Sequence, residues 1–296
     1  MDKNSKNKIG MPMVGFGTYL IKDDEAESCV YNALNTGYRH IDTAEAYQNE
    51  SGVGRGIKLA MDNLGITRDE IFITTKLWPG DKTYETTIQT FNLSLEKLQL
   101  DYLDLYLIHA PINKAQRIEQ WRAFVDLKQQ GKIKRIGVSN YGKAHIEEIK
   151  TANLPIPEAN QIELHPWSQK PDLVSYLKSQ GISIIAYSSL VPLTSWRAAK
   201  GQNSAKTEQM KADGMKEDSP FKIMARKYGV SEAQVLLRWG LQNGYAILPK
   251  SIKEERIKQN FDLFNFNIDD EDMSAILKMD RGGGVAWHTG DPINLS

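Results

Sequence analysis

The chain has 296 residues, 41% apolar and 25% charged, with 37 Lys and Arg against 37 Asp and Glu. That length can bury a large core, and the balanced charge offers no field to hold nucleic acid or an anionic membrane, so a small molecule is the expected partner. Residues 1–8 are polar and lysine-rich with no apolar stretch behind them, and no apolar run reaches the roughly 18 residues that a bilayer demands, so a cytoplasmic location is expected.

Residues 14–17 open a pattern in which short apolar runs alternate with longer stretches of helical period, as repeated strand-helix units around a parallel sheet require. The single cysteine, Cys29, shares a helix face with Val30, Ala33 and Leu34 and reads as a buried structural thiol. Residues 38–41, 71–75 and 103–108 read as buried strands, and Asp42 with Tyr47, Lys76 and His109 stand just beyond their ends. Gly52, Gly54 and Gly56 fall inside a helix, so they are structural and do not form a dinucleotide fingerprint, which must follow a strand.

Tyr84, Ile88, Phe91, Leu95 and Leu98 form one helical stripe, and Ile118, Trp121, Phe124 and Val125 form another that ends before Gly131. Residues 133–139 form the next strand. Pro171 opens and Gly181 closes a helix that leads into a strand over 182–187, and Ser231 with Gln234 makes a capping box. Asp42, Lys76, His109 and Asn140 follow one another at 34, 33 and 31 residues, each about one strand-helix unit.

Polar strand ends continue through Ser139, Asn140, Gln161, Tyr187, Ser188, Lys250 and Ser251. A doubly wound sheet gathers its ligand groups at one crevice, whereas a closed barrel presents every strand end to one mouth. The expected fold is a single-domain (β/α)8 barrel over residues 1–296, with its site at the C-terminal mouth. Residues 194–220 lack Leu, Ile, Val and Phe and read as a long polar lid at about 191–220, and the glycine-rich stretch at about 282–296 reads as a substrate loop.

Tyr47 can give a proton to an alkoxide, Lys76 held by Asp42 would lower its pKa, and His109 would orient a substrate oxygen. The set suits a carbonyl that receives a hydride, and a cofactor must supply that hydride. A structural ion pair with a satisfied histidine is the competing reading, but packing alone rarely needs all four groups at one end of a sheet. No His-x-x-x-His spacing and no thiolate cluster suggest a metal, and no Gly-x-Ser-x-Gly elbow suggests a serine hydrolase.

These residues carry a resemblance. Gly37-Tyr38-Arg39-His40-Ile41-Asp42-Thr43-Ala44 with Tyr47, Asn49, Glu50 and Gly54, then Lys76-Leu77-Trp78, then the run from Leu103 to His109 resemble the aldo-keto reductases, and the likeness extends from about Gly10 to Asp280. Within that family the chain is similar to the 2,5-diketogluconate and glyoxal reductases. The resemblance implies a monomeric, NADPH-dependent reductase of aldehydes and ketones with Asp42, Tyr47, Lys76 and His109 as its catalytic tetrad.

It also implies that Lys250, Ser251, Arg256, Gln259 and Asn260 hold the adenosine end of NADPH, Ser139, Asn140 and Gln161 the carboxamide, and Tyr187 the nicotinamide face. Ser188 and Leu190 would approach the pyrophosphate, and Gly17, Thr18 and Tyr19 the opposite rim. Tyr19, Tyr47, Trp78, His109, Ala110 and Trp287 would line the substrate pocket. The chain departs from common family patterns at Tyr19, Ala110 and Gln259, and Ala110 is expected to open the pocket wall. Two other readings remain: a non-catalytic cofactor-binding regulatory subunit on the same barrel, and an aldolase or isomerase using Lys76 as a Schiff base.

Overall fold

The computed structural model describes residues 2–193, 212–213, 216–287 and 290–295. Eight strands lie in chain order in one sheet: β1 (Phe16–Gly17), β2 (His40–Asp42), β3 (Phe72–Leu77), β4 (Leu103–Ile108), β5 (Ile133–Ser139), β6 (Ala159–Glu163), β7 (Ser183–Tyr187) and β8 (Ala246–Ile247). Every neighbouring pair is parallel. The first and last strands meet through a parallel bridge between Val14 and Ile247, with Gly15 N donating to Ile247 O at 2.9 Å and Ile247 N to Met13 O at 2.9 Å. These bonds complete the expected (β/α)8 barrel.

Helices connect the strands: α1 (Asp23–Thr36), α2 (Glu50–Leu64), α3 (Tyr84–Leu98), α4 (Arg117–Gln129), α5 (Lys143–Thr151), α6 (Pro171–Ser179), α7 (Pro220–Tyr228), α8 (Glu232–Gln242), α9 (Glu254–Phe261) and α10 (Asp270–Leu277). Their ends follow local chemistry. Thr83 accepts from Thr86 N at the start of α3, Pro171 occupies the first turn of α6, and Ser231 with Gln234 forms the capping box of α8. Gly37, directly after α1, has φ of 120°, a value that side chains rarely tolerate.

Most strand residues are buried because helices cover them outside and side chains fill the barrel within; β3 and β4 have no exposed residue, while Lys134 of β5 is exposed. Cys29 is buried on α1, as its apolar neighbours predict. The three glycines of α2 let helices close tightly. A Cβ on Gly52 would lie 2.1 Å from Asp23 O, one on Gly54 2.6 Å from Leu98 O, and one on Gly56 2.6 Å from Glu27 O.

Two of the expected positions shift slightly. Asp42 is the last residue of β2, and Lys76 lies within β3 one residue before its end, so both project from strands and not from the loops beyond them. Most of the lid expected at about 191–220 lies outside the described residues, as does His288 in the expected C-terminal loop. Among the described residues, no helix is long and apolar enough to cross a membrane.

Candidate active site

The site begins with a charge that the barrel removes from water. Lys76 on β3 has no exposed surface, and its ammonium donates to Asp42 Oδ1 at 2.5 Å and Thr43 O at 2.8 Å. The second oxygen of Asp42 accepts from Gln161 Nε2 on β6 at 2.8 Å. Burial pushes the lysine pKa down and the Asp42 charge pushes it back up. Leaving either member alone would cost about 3–5 kcal/mol, which makes the pair a rigid fixture. An ammonium so enclosed is poorly placed to attack a carbonyl, which argues against the Schiff-base reading.

Tyr47 lies on a short 3₁₀ turn, Glu45–Tyr47, that follows β2. The Lys76 ammonium sits 5.1 Å from its ring centroid. The expectation that Lys76 lowers the phenol pKa needs correction: burial pushes it well above its ordinary value, with Asp42 and Tyr19 adding to the rise. The physical reason is that burial disfavours the phenolate and the Asp42 charge disfavours it further. Tyr47 therefore keeps its proton at neutral pH.

His109 directly follows β4. Burial, and then the Lys76 charge, hold its imidazole well below its ordinary pKa, so the ring is neutral. Its Nδ1 is buried without a hydrogen-bond partner among the described residues. The ring makes edge contacts with Tyr47 at 5.6 Å and Trp78 at 5.5 Å between centroids, and the barrel thus assembles all four residues of the expected tetrad in one mouth.

A hydrogen-bonded arc borders this group. Asn140, at φ of 61°, donates to His109 O at 3.0 Å and to Ser139 Oγ at 3.0 Å, while Ser139 Oγ donates to Gln161 O at 2.9 Å. Tyr187 donates its hydroxyl to Asn140 Oδ1 at 2.6 Å and accepts from Trp287 Nε1 at 3.0 Å. Trp287 stands parallel to Trp78 at 6.2 Å and edge-on to His109 at 6.2 Å. Tyr19 packs on Tyr47 at 5.0 Å and is 47% exposed, so it forms the outer rim. Ala110 has no exposed surface, and Trp78 and Trp287 stand beside His109.

Other expected residues lie on the same face. Gly17 N donates to Pro249 O, and a Cβ there would meet Leu248 O at 3.1 Å; Thr18 Oγ1 donates to Asp42 O at 3.1 Å. Ser188, at φ of 57°, and Leu190 follow β7. After β8, the side chains of Lys250 and Arg256 form no hydrogen bond or ion pair with another described residue, whereas Lys258 is paired with Glu254 at 2.7 Å. Partial burial depresses the Lys250 pKa, so an anion beside it would relieve that cost. Ser251 Oγ caps Lys253 N at 3.0 Å, Asn260 is buried and Gln259 is exposed. Two unpaired cations and a hydroxyl beside the start of α9 fit a phosphate.

Three further residues support the site: Asn49, named above only as part of a motif, and Glu45 and Glu163, which the sequence did not single out. Asn49 donates to Thr18 O at 2.9 Å and Ile21 O at 2.8 Å and accepts from Thr43 Oγ1, tying the Tyr19 rim to the turn after β2. Glu45 accepts from Trp78 N at 2.8 Å. Glu163 binds the backbone of the C-terminal loop. No local signal marked Glu45 or Glu163, because their partners lie 33 and 122 residues away along the chain.

A family model described as "Aldo/keto reductase family" matches residues 8–281. The chain belongs to the aldo/keto reductase family. It is 43% identical over 277 residues to the glyoxal reductase of Bacillus subtilis (strain 168), covering 93% of this chain and 91% of that one. It is 36% identical to the methylglyoxal reductase of Escherichia coli (strain K12), covering 92% and 90% respectively. The crystal structure of a Bombyx mori aldo-keto reductase in complex with NADP superposes with a TM-score of 0.82 at 36% identity, over 93% of this chain and 91% of that one. The protein is thus an NADP-dependent oxidoreductase acting on carbonyl groups, and the reading as a non-catalytic subunit is not supported.

With a neutral imidazole and a protonated phenol, kcat/KM for carbonyl reduction should vary by less than about threefold between about pH 6 and 8. A titration centred near the ordinary histidine value, measured at saturating NADPH, would contradict the neutral state of His109.

Proposed function

We propose that Tyr47 is the general acid, that neutral His109 orients the substrate oxygen, and that Lys76 with Asp42 fixes the electrostatics around them. NADPH, when bound, supplies the hydride. The Tyr47 hydroxyl gives its proton to the carbonyl oxygen as negative charge develops there, and a raised phenol pKa leaves it protonated and ready to do so. His109 offers one N–H to the same oxygen, and its low pKa keeps it from competing as a charged acid. The observation that carries this reading is the assembly of a protonated phenol and a neutral imidazole beside a buried Lys76–Asp42 pair.

In the same reading Ser139, Asn140 and Gln161 receive the carboxamide, Tyr187 the nicotinamide face, and Lys250, Ser251 and Arg256 the 2′-phosphate. The substrate is a small aldehyde with an adjacent carbonyl, of the class named for the glyoxal and methylglyoxal reductases it resembles. Trp78 and Trp287 both contact His109 and leave a narrow aromatic wall there. The protein acts as a cytoplasmic monomer of one barrel domain, with the C-terminal stretch as a substrate loop.

Tyr47→Phe should lower kcat by about a hundredfold or more while NADPH affinity, read by fluorescence titration, stays within about twofold. Near-normal turnover would remove Tyr47 from the acid role. Lys250→Met with Arg256→Met should weaken NADPH by at least about tenfold and NADH by much less; equal weakening would place the 2′-phosphate elsewhere. Methylglyoxal should show a higher kcat/KM than a bulky aromatic ketone, and the reverse order would refute the small-substrate assignment.

A further inference from the structure

Glu163 ends β6 with only 2% of its surface exposed, yet none of the chemistry above uses it. Its carboxylate accepts from Val285 N and Ala286 N at 2.9 Å each, and from His165 Nε2 at 3.0 Å. Burial alone would raise its pKa, but the His165 ring and the two backbone N–H groups bring it down to about 2, so it is ionised at any working pH. Charge-assisted bonds of this kind are short, directional and roughly twice as strong as neutral ones.

The backbone is shaped to meet that carboxylate. A Cβ on Gly284 would stand 2.2 Å from Glu163 Oε2 and 2.9 Å from Asp291 Oδ2, so only glycine lets the chain approach so closely. Gly284 N donates to Asp291 Oδ2 at 2.9 Å, and Lys170 pairs with the same carboxylate. Residues 284–286 are thereby tied from two sides.

The next residue is Trp287, which stands over His109 and bonds Tyr187, and Tyr187 is itself the register neighbour of Glu163 across β6 and β7. We propose that Glu163 is a positioning residue for substrate recognition: its carboxylate latches residues 284–286 to the end of β6 and so sets where the Trp287 ring stands at the carbonyl site. The proposal rests on the reading that Trp287 borders that site.

The test is a double-mutant cycle with methylglyoxal as the probe. Glu163→Gln places an amide N–H against a backbone N–H and should raise KM about tenfold, with kcat changed by less than about threefold and NADPH affinity unchanged. In a Trp287→Ala background the same substitution should change KM by less than about twofold, because the residue it acts through is gone. Gly284→Ala, which displaces the loop from the opposite side of the contact, should reproduce the pattern and serves if Glu163→Gln does not fold. A KM effect that persists in the Trp287→Ala background, an unchanged KM, or an equal loss of NADPH affinity would each overturn the positioning role.

If Trp287→Ala itself leaves KM unchanged, it is the placement of Trp287 at the carbonyl site that fails. The latch is then read by acrylamide quenching of Trp287, taken as the difference between proteins with and without Trp287→Phe. Greater quenching in Glu163→Gln upholds the latch, and no change overturns it.

Discussion

The buried pair of Lys76 and Asp42 sets the terms for the rest of the mouth. An ammonium with no exposed surface is tolerable only beside an ionised partner whose own oxygens are satisfied. Meeting that condition takes three strands: Lys76 from β3, Asp42 from β2 and Gln161 from β6, the last 119 residues from Asp42 along the chain. Such a convergence needs a closed barrel, because an open sheet in the same strand order would hold β2 and β6 well apart. The pair also decides the proton states around it. Burial and the Asp42 charge keep the Tyr47 phenol protonated, while burial and the Lys76 charge keep His109 neutral.

Around this fixture the mouth is built as a chain of directed bonds. Trp287 binds Tyr187, Tyr187 binds Asn140, Asn140 holds the His109 backbone and Ser139, and Ser139 and Gln161 lead back to Asp42. Residues assigned to the cofactor therefore lie between the residues assigned to the substrate and those assigned to proton transfer. Glu163 ties the loose end of this chain, the C-terminal segment, to the same sheet. Rigid strands supply the positions and short loops supply the reach, as a site with sub-ångström demands requires.

Much of this was legible along the chain. The β-branched and leucine-rich strands β3 and β4, the stripe of α3, the capping box of α8 and the glycines of α2 each carry a local rule that needs no distant partner. β6 was harder to read. Gln161 was marked as a polar strand end, but Ala159, Asn160, Gln161, Ile162 and Glu163 carry too few apolar residues to announce a buried strand, and all five are buried. Several of their polar groups bond remote partners, such as Asn160 Nδ2 with Tyr141 O and the Glu163 carboxylate with residues 285 and 286. β8, only two residues long, is defined by its pairing with β7 and the β1 segment more than by its own composition.

The chain by itself determined the repeated strand-helix unit, the barrel that eight such units favour, and the identity and spacing of Asp42, Tyr47, Lys76 and His109. These follow from local periodicity and from residue chemistry, which are properties of short windows. Tertiary structure alone decided the proton states and the walls of the site. The direction of the Tyr47 shift depends on burial and on the Asp42 charge, the wall beside His109 depends on a tryptophan 178 residues later, and the backbone just before that tryptophan is bonded by a carboxylate at the end of β6. Desolvation and long-range contact exist only once the barrel has closed, so no local pattern could carry them.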